Sequence, residues 1–166
     1  MINDAATVGE ERHHECFGQI DRVLFELVGR LRITIEAALK DSTTLHLSEF
    51  SVLHFLAEDP NGSMRLGELA RKLSFSPSRL SYQVRTMEKR GLLTRHPSEE
   101  DGRGAYATIS NEGRQAHAEA LTVYRRVIAQ VLCAGLTKAE AQSLVDMLSR
   151  LNESVSVNAI SAAVRY

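Results

Sequence analysis

Residues 66–110, LGELARKLSFSPSRLSYQVRTMEKRGLLTRHPSEEDGRGAYATIS, leave this chain few ways to fold. Two short helical patterns are joined by a tight break. Two alternating stretches follow, flanking an acidic turn that contains glycine. The second helical pattern is the best delimited. Ser76 suits an N-cap, and Pro77 a first helical position, where a missing N–H costs nothing. Gly91 suits the left-handed residue that closes a helix. A helix from Pro77 to about Arg90 is therefore predicted. Leu80, Val84 and Met87, spaced i, i+4, i+7, form its apolar face. At about 100° per residue, Ser78, Tyr82, Arg85 and Lys89 fall opposite, with Arg79, Ser81 and Thr86 beside them. Glu88 lies off to one side.

The flanking segments fix the arrangement. Leu66 to Leu73 reads as a short helix with Leu66, Leu69, Ala70 and Leu73 inward. The small Ala70 lets a second helix cross closely. Ser74-Phe75-Ser76 forms the turn, with Phe75 filling the corner. Leu92–Pro97 and Ala105–Ser110 can pair as an antiparallel hairpin, with Asp101-Gly102 and Gly104 supplying the turn. Pro97 fits a strand end. Met64-Arg65 can add a short third strand. The expectation is a mainly α chain with a small β-hairpin wing, a winged helix-turn-helix in which the second helix enters a DNA major groove.

The exposed face of that helix carries cations and hydroxyls without a carboxylate, which suits an anionic partner, double-stranded DNA; the plainer reading is a basic surface helix. The candidate DNA-contacting residues are Ser76, Ser78, Arg79, Ser81, Tyr82, Arg85, Lys89, Arg95 and Arg103. Arg103 sits at the wing turn between two glycines, where it can reach phosphates or a minor groove. It can equally pair with Asp101, Glu100 or Glu99. The formal net charge of −1 argues against a nucleic-acid binder, but its distribution does not. Residues 1–64 hold 5 Lys+Arg against 11 Asp+Glu, whereas residues 65–103 hold 9 against 5. The positive charge is concentrated on the winged segment.

These motifs together resemble the multiple antibiotic resistance regulator (MarR) family. The wing's Asp101-x-Arg103 matches that family's Asp-x-Arg, and Ile109-Ser110 with Glu112-Gly113 matches the steps that follow. Met87, Glu88, Gly91 and Leu92 match the end of its recognition helix, and Ser78 and Ser81 the hydroxyls near its start. The resemblance spans about residues 20–153. It implies a sequence-specific DNA-binding transcriptional regulator, a ligand-responsive repressor that binds a pseudo-palindromic operator as a homodimer. It also implies dimerisation through the first helix and the last two.

The rest of the chain fits that plan. Residues 1–9 read as a frayed tail. From Glu10 to Lys40 one helical pattern carries Phe17, Ile20, Leu24, Leu27, Leu31, Ile35 and Ala38. A helix of about 30 residues spans roughly 45 Å, too long to bury its stripe within one small winged domain. Part of the stripe should face another chain, unless the C-terminal helices of its own chain cover it. Ser48 should cap a helix with Phe50, Leu53, Leu56 and Ala57 inward, ending at 59–62. Asn111 should cap a helix to about Cys133, carrying Ala116, Leu121, Tyr124, Val127, Ile128, Val131 and Leu132. Gly135 ends it, and Thr137-x-x-Glu140 is a capping box for the next helix. The domain reading is therefore 10–40 and 111–153 for dimerisation and 46–110 for DNA binding. Residues 154–166 are a tail or a helix extension.

No apolar run is long enough to span a membrane, and no apolar signal core opens the chain, so a cytoplasmic protein is expected. Cys16 and Cys133 are too few and too far apart for a disulfide framework. No P-loop, G-x-G-x-x-G or nucleophile elbow is present, so neither an enzyme nor a cofactor is expected. The six histidines include no i, i+4 pair, hence no local metal signature. Some proteins of the resembled family bind zinc, for which His54, His117 and Cys16 could converge. Others sense peroxide through an N-terminal-helix cysteine, but Cys16 lies about two turns too early and lacks activating tyrosines. The resemblance further implies a small aromatic or phenolic effector where the dimerisation helices meet the winged domain, with Arg32, Phe50, His54 and Tyr124 as candidate contacts. The alternatives are a redox- or metal-responsive DNA-binding regulator and a winged-helix protein–protein module. The latter would want an apolar or acidic face on Pro77–Arg90.

Overall fold

A computed structural model describes residues 4–97, 104–133 and 135–163, with side chains over 18–97, 104–131 and 135–153. The wing-tip residues Asp101, Gly102 and Arg103 lie outside the described residues, as do the side chains of Cys16 and Cys133. The elements in order are α1 (Asp4–Ser42), α2 (Leu47–Glu58), β1 (Ser63–Arg65), α3 (Leu66–Leu73), α4 (Pro77–Lys89), β2 (Leu93–Pro97), β3 (Ala105–Ile109), α5 (Asn111–Ile128), a π-helical turn (Ala129–Cys133) and α6 (Lys138–Ala163). The chain divides into two compact units, residues 1–127 and 128–166.

In the first unit, three strands form an antiparallel sheet in the order β1-β3-β2. Leu93 pairs with Ile109 and Met64 with Ala107, so the inward side chains of all three strands share one face. They close a core with Leu53 and Leu56 of α2, Leu69 of α3, and Leu80, Val84 and Met87 of α4. Each of these is nearly or wholly removed from water, which is worth about 1.5–3 kcal/mol per large apolar side chain.

Two glycines make the junctions possible. Gly91 has φ +73°, and its N–H donates to the Glu88 carbonyl, closing α4 as its sequence anticipates. Gly113 lies directly against the Leu92 carbonyl, where an added Cβ would collide with backbone. The Glu112-Gly113 step thus has a packing cause: α5 starts against the first residues after α4.

Several boundaries differ from the sequence expectation. α1 begins at Asp4, so residues 4–9 are helical rather than a frayed tail. α2 is capped by His46, not Ser48; the Glu49 carboxylate accepts the His46 N–H at 3.0 Å. Ser48 instead faces Gln83 of α4, 3.4 Å away. α5 is capped by Ser110, not Asn111: the Ser110 hydroxyl accepts the Gly113 N–H at 2.9 Å. The buried face of α5 is Gly113, His117, Ala120, Val123 and Val127. That face is rotated from the one expected, because a glycine and a histidine occupy core positions that a hydrophobic pattern skips. Leu121, Tyr124 and Ile128 are half-buried, and Val131 is exposed.

In the second unit, the capping box forms as written. Glu140 accepts the Thr137 N–H at 2.7 Å, and the Thr137 hydroxyl accepts the Glu140 N–H at 3.3 Å. The Thr137 N–H, and second the Thr137 hydroxyl, which donates to the same carboxylate at 2.7 Å, hold the Glu140 carboxyl below its ordinary pKa. α6 runs on to Ala163, so residues 154–163 extend that helix.

Candidate nucleic-acid interface and adjoining cavity

α4 is positioned by its ends. The Ser76 hydroxyl accepts the Arg79 N–H at 3.3 Å and lies 3.2 Å from the Ser78 hydroxyl. Ahead of it, Ser74 adopts φ +53°, which turns the chain sharply out of α3. With Leu80, Val84 and Met87 buried, Ser78, Arg79, Tyr82, Arg85 and Lys89 stand exposed on the far side. Tyr82 is 74% exposed, a large aromatic with no core role. Ser81 and Thr86 are half-buried at the edges of this face. The Glu88 carboxylate is occupied elsewhere, accepting the Arg95 N–H at 3.0 Å and so tying α4 to β2. Ser76 and Arg95 are exposed too. Apart from Arg103, which lies outside the described residues, every sequence-predicted DNA contact therefore reaches the surface or its margin.

Two further cations join them. Arg65 and Arg71, with Arg95, line a cleft of about 810 Å³ between α3 and the sheet, where Gly104 lies against the Arg65 guanidinium. They belong to the positively charged block 65–103, but only the fold shows that they share a wall with Arg95.

At the other end of α4, Arg90 donates to Glu49 at 2.6 Å and to the Thr44 carbonyl at 2.8 Å. Glu49 is 3% exposed, so α4 is anchored to the start of α2 through a buried carboxylate. No spacing pattern in the sequence links positions 49 and 90.

A second feature lies among α1, α2 and α5. Arg32, Phe50, His54 and Tyr124 all line one mainly apolar cavity of about 330 Å³, together with Val28 and Leu31. Phe50 stacks at 14° on both His54 and His117, with centroids 5.4 and 5.7 Å away, and Tyr124 packs at 5.2 Å. His54 Nδ1 lies 3.1 Å from His117 Nε2, and His54 Nε2 lies 3.4 Å from Glu58. At least one ring of the pair must therefore be neutral, its unprotonated nitrogen accepting the N–H of the other. Burial holds His117 below the ordinary histidine pKa; the charges of His54 and Arg125 act the same way and Glu58 opposes them. His117 was assigned no place in the core by its sequence pattern, since only the register of α5 brings it under Phe50. Among the described residues no three His, Cys, Asp or Glu side chains converge on a metal position.

The comparisons with known proteins bear on this arrangement. The profile of the MarR family matches residues 43–104. The HTH-type transcriptional repressor Rv2887 of Mycobacterium tuberculosis is 33% identical over 129 residues, covering 78% of this chain and 90% of that protein. The chain belongs to the MarR family. As a MarR-family member it is a DNA-binding transcriptional regulator rather than an enzyme. The crystal structure of Rv2887 in complex with DNA superposes with a TM-score of 0.64 at 30% identity, covering 79% of this chain and 95% of that one. Sco3205 of Streptomyces coelicolor, a MarR-family regulator also in complex with DNA, gives a TM-score of 0.75 at 25% identity, covering 83% and 87%. The winged helix-turn-helix and its hairpin are thus this family's fold. Among the described residues no helix is long and apolar enough to cross a membrane.

Proposed function

We propose that this MarR-family protein is a cytoplasmic, ligand-responsive repressor that binds a pseudo-palindromic operator as a homodimer. The observation that carries the reading is the exposed face of α4, where Arg79, Arg85 and Lys89 stand with Ser78 and Tyr82 while the nearest carboxylate, Glu88, is engaged by β2. Two copies of α4 enter successive major grooves, with half-site centres about 10 bp apart. Arg95 and Arg103 of each wing, with Ser76 and Ser81 at the margin of α4, contact the backbone or the flanking minor groove. Repression rather than activation is the action named for the relative Rv2887.

Dimerisation is supported by apolar side chains left exposed on each unit. Val23, Leu24 and Val28 of α1 are exposed, as are Val145, Leu148 and Leu151 of α6. Responsiveness to a small aromatic or phenolic molecule is supported by the cavity of Arg32, Phe50, His54 and Tyr124. Its walls offer flat rings for stacking and a cation at Arg32. An occupant that binds better to one spacing of the two α4 helices shifts the population toward it, and only its differential affinity does so.

The experiment is selection of bound duplexes from a random pool by the full-length protein, followed by light scattering of the complex. An inverted repeat bound by two chains is expected. A single unrepeated site bound by one chain sinks the homodimer model.

A further inference from the structure

Arg79 and Arg85 are both exposed cations on α4, yet the fold treats them differently. The Arg79 guanidinium lies over the Phe75 ring, 3.9 Å from its centroid. That ring is itself fixed: Phe75 is half-buried, its N–H donates to the Ala70 carbonyl at 2.9 Å, and the preceding Ser74 is left-handed. The backbone of Arg79 is held as well, through the Ser76 hydroxyl. Among the described residues the Arg79 side chain meets no carboxylate, and Arg85 meets neither a carboxylate nor a ring. Stacking covers one flat face of a guanidinium and leaves its in-plane N–H donors available. Those donors are what a guanine edge, with its O6 and N7 acceptors, takes up in pairs. Arg79 also stands in the first turn of α4, the part of a recognition helix that meets base edges.

We propose that Arg79 is the principal base-reading cation of α4, and that Phe75 is a positioning residue whose ring holds the guanidinium extended toward a guanine. Arg85, with no such platform, contacts phosphate. The opposite arrangement, in which Phe75 sequesters Arg79 away from DNA, uses the same contact and makes the opposite forecast. The proposal rests on the DNA-binding reading and assigns within it which side chain reads sequence.

The test is duplex selection from a random pool by the full-length wild type and by Arg79→Lys, Phe75→Leu, Phe75→Tyr and Arg85→Ala, with thermal melting to establish that each is folded. The wild type is expected to select guanine at one fixed position of each half-site. Arg79→Lys, which keeps the charge but loses the fork, should erase that preference while binding random duplex nearly as before. Phe75→Leu should weaken the same preference by about two- to fivefold, and Phe75→Tyr should keep it. Arg85→Ala should weaken binding to all sequences alike. Retention of the guanine preference in Arg79→Lys overturns the proposal, as does a sharper preference in Phe75→Leu, and Arg79→Lys remains decisive should Phe75→Leu not fold. If the wild type selects no duplex, the DNA-binding reading falls first and the proposal with it; if it selects sites that Arg79→Lys selects equally, only the proposal falls.

Discussion

The winged region and α1 make opposite use of their apolar residues. In residues 45–110 the large aliphatics turn inward: Leu45, Leu53, Leu56, Leu69, Leu80 and Leu93 are at most 2% exposed. Among the described side chains of α1, Ile35 and Leu39 at the C-terminal end are buried, while Val23, Phe25, Val28 and Ile33 are more than half exposed. The first region satisfies its hydrophobic pattern within one chain. The second carries an apolar pattern that its own unit leaves largely facing water between Ile20 and Ile33. A sequence can therefore bury its apolar pattern in one place and leave it exposed in another, and an exposed apolar face of this kind is the sort of surface that interaction sites use.

The harshest way to break this contrast is to spoil the exposed apolar face. Leu24→Glu with Leu27→Glu should abolish dimerisation while leaving the winged core folded. Affinity for a two-half-site duplex should then fall by about 10²- to 10⁴-fold, the range that linking two sites supplies. Sedimentation and fluorescence anisotropy measure both quantities. A double variant that stays dimeric would place the partner surface elsewhere.

In the winged region, the charged face of α4 and the cleft of Arg65, Arg71 and Arg95 should announce themselves through salt. Log affinity is expected to fall against log salt with a slope of about −0.9 per phosphate contacted. With six contacts, about a 10³-fold loss follows between 50 and 200 mM. Arg71→Ala should reduce the slope by about one contact. A nearly flat dependence for the wild type would remove phosphate neutralisation from the account.

What was legible in the sequence follows the same division. The α3–α4 break, the Ser76 cap, the Gly91 stop and the three strands could be read because local rules and burial agree there. The Glu49–Arg90 anchor could not, because its partners are 41 positions apart and an ion pair leaves no periodic trace. The face of α5 differs from its apolar pattern for a related reason: Gly113 is inward against the Leu92 carbonyl, and His117 is inward where its ring stacks on Phe50. Both are demands of tertiary packing that an apolar count does not register. Arg32, Phe50, His54 and Tyr124, which the resemblance rather than any local pattern points to, line one cavity.

The Glu49–Arg90 pair offers a smaller test of how the closed region holds α4. Glu49→Ala leaves Arg90 without its carboxylate and the His46 N–H without its acceptor. Deleting one member of a fully buried pair costs about 3–5 kcal/mol and an exposed one less than about 1. With Arg90 about one-third exposed, a loss of about 2 kcal/mol is expected by urea denaturation. DNA affinity should fall in Glu49→Ala by more than the population of unfolded protein explains, since the end of α4 is freed. An unchanged urea midpoint would mean that solvent already screens the pair.

The smallest expected effect separates the exposed cations of α4 from His117, a titratable group stacked under Phe50. Burial lowers the pKa of His117, so the folded protein resists protonating it while the unfolded chain takes a proton near pH 6.5. The unfolded state thus binds more protons between the lowered pKa and 6.5. Stability from this group is fully present above about pH 6.5 and declines as pH falls through that window, by at most about 1.4 kcal/mol per pH unit. The His54 ring 3.1 Å away and Arg125 also disfavour the imidazolium, and Glu58 opposes them. Phenylalanine in place of His117 keeps a ring under Phe50 and removes the titration. His117→Phe should therefore lose less stability than the wild type between pH 7.5 and pH 5.5 in parallel thermal melts, while Arg85→Ala on the exposed face should follow the wild-type curve. Parallel curves for His117→Phe and wild type would mean that the cluster opens enough for water to solvate the imidazolium, and that the region around Phe50 is less closed than its neighbours in the winged core.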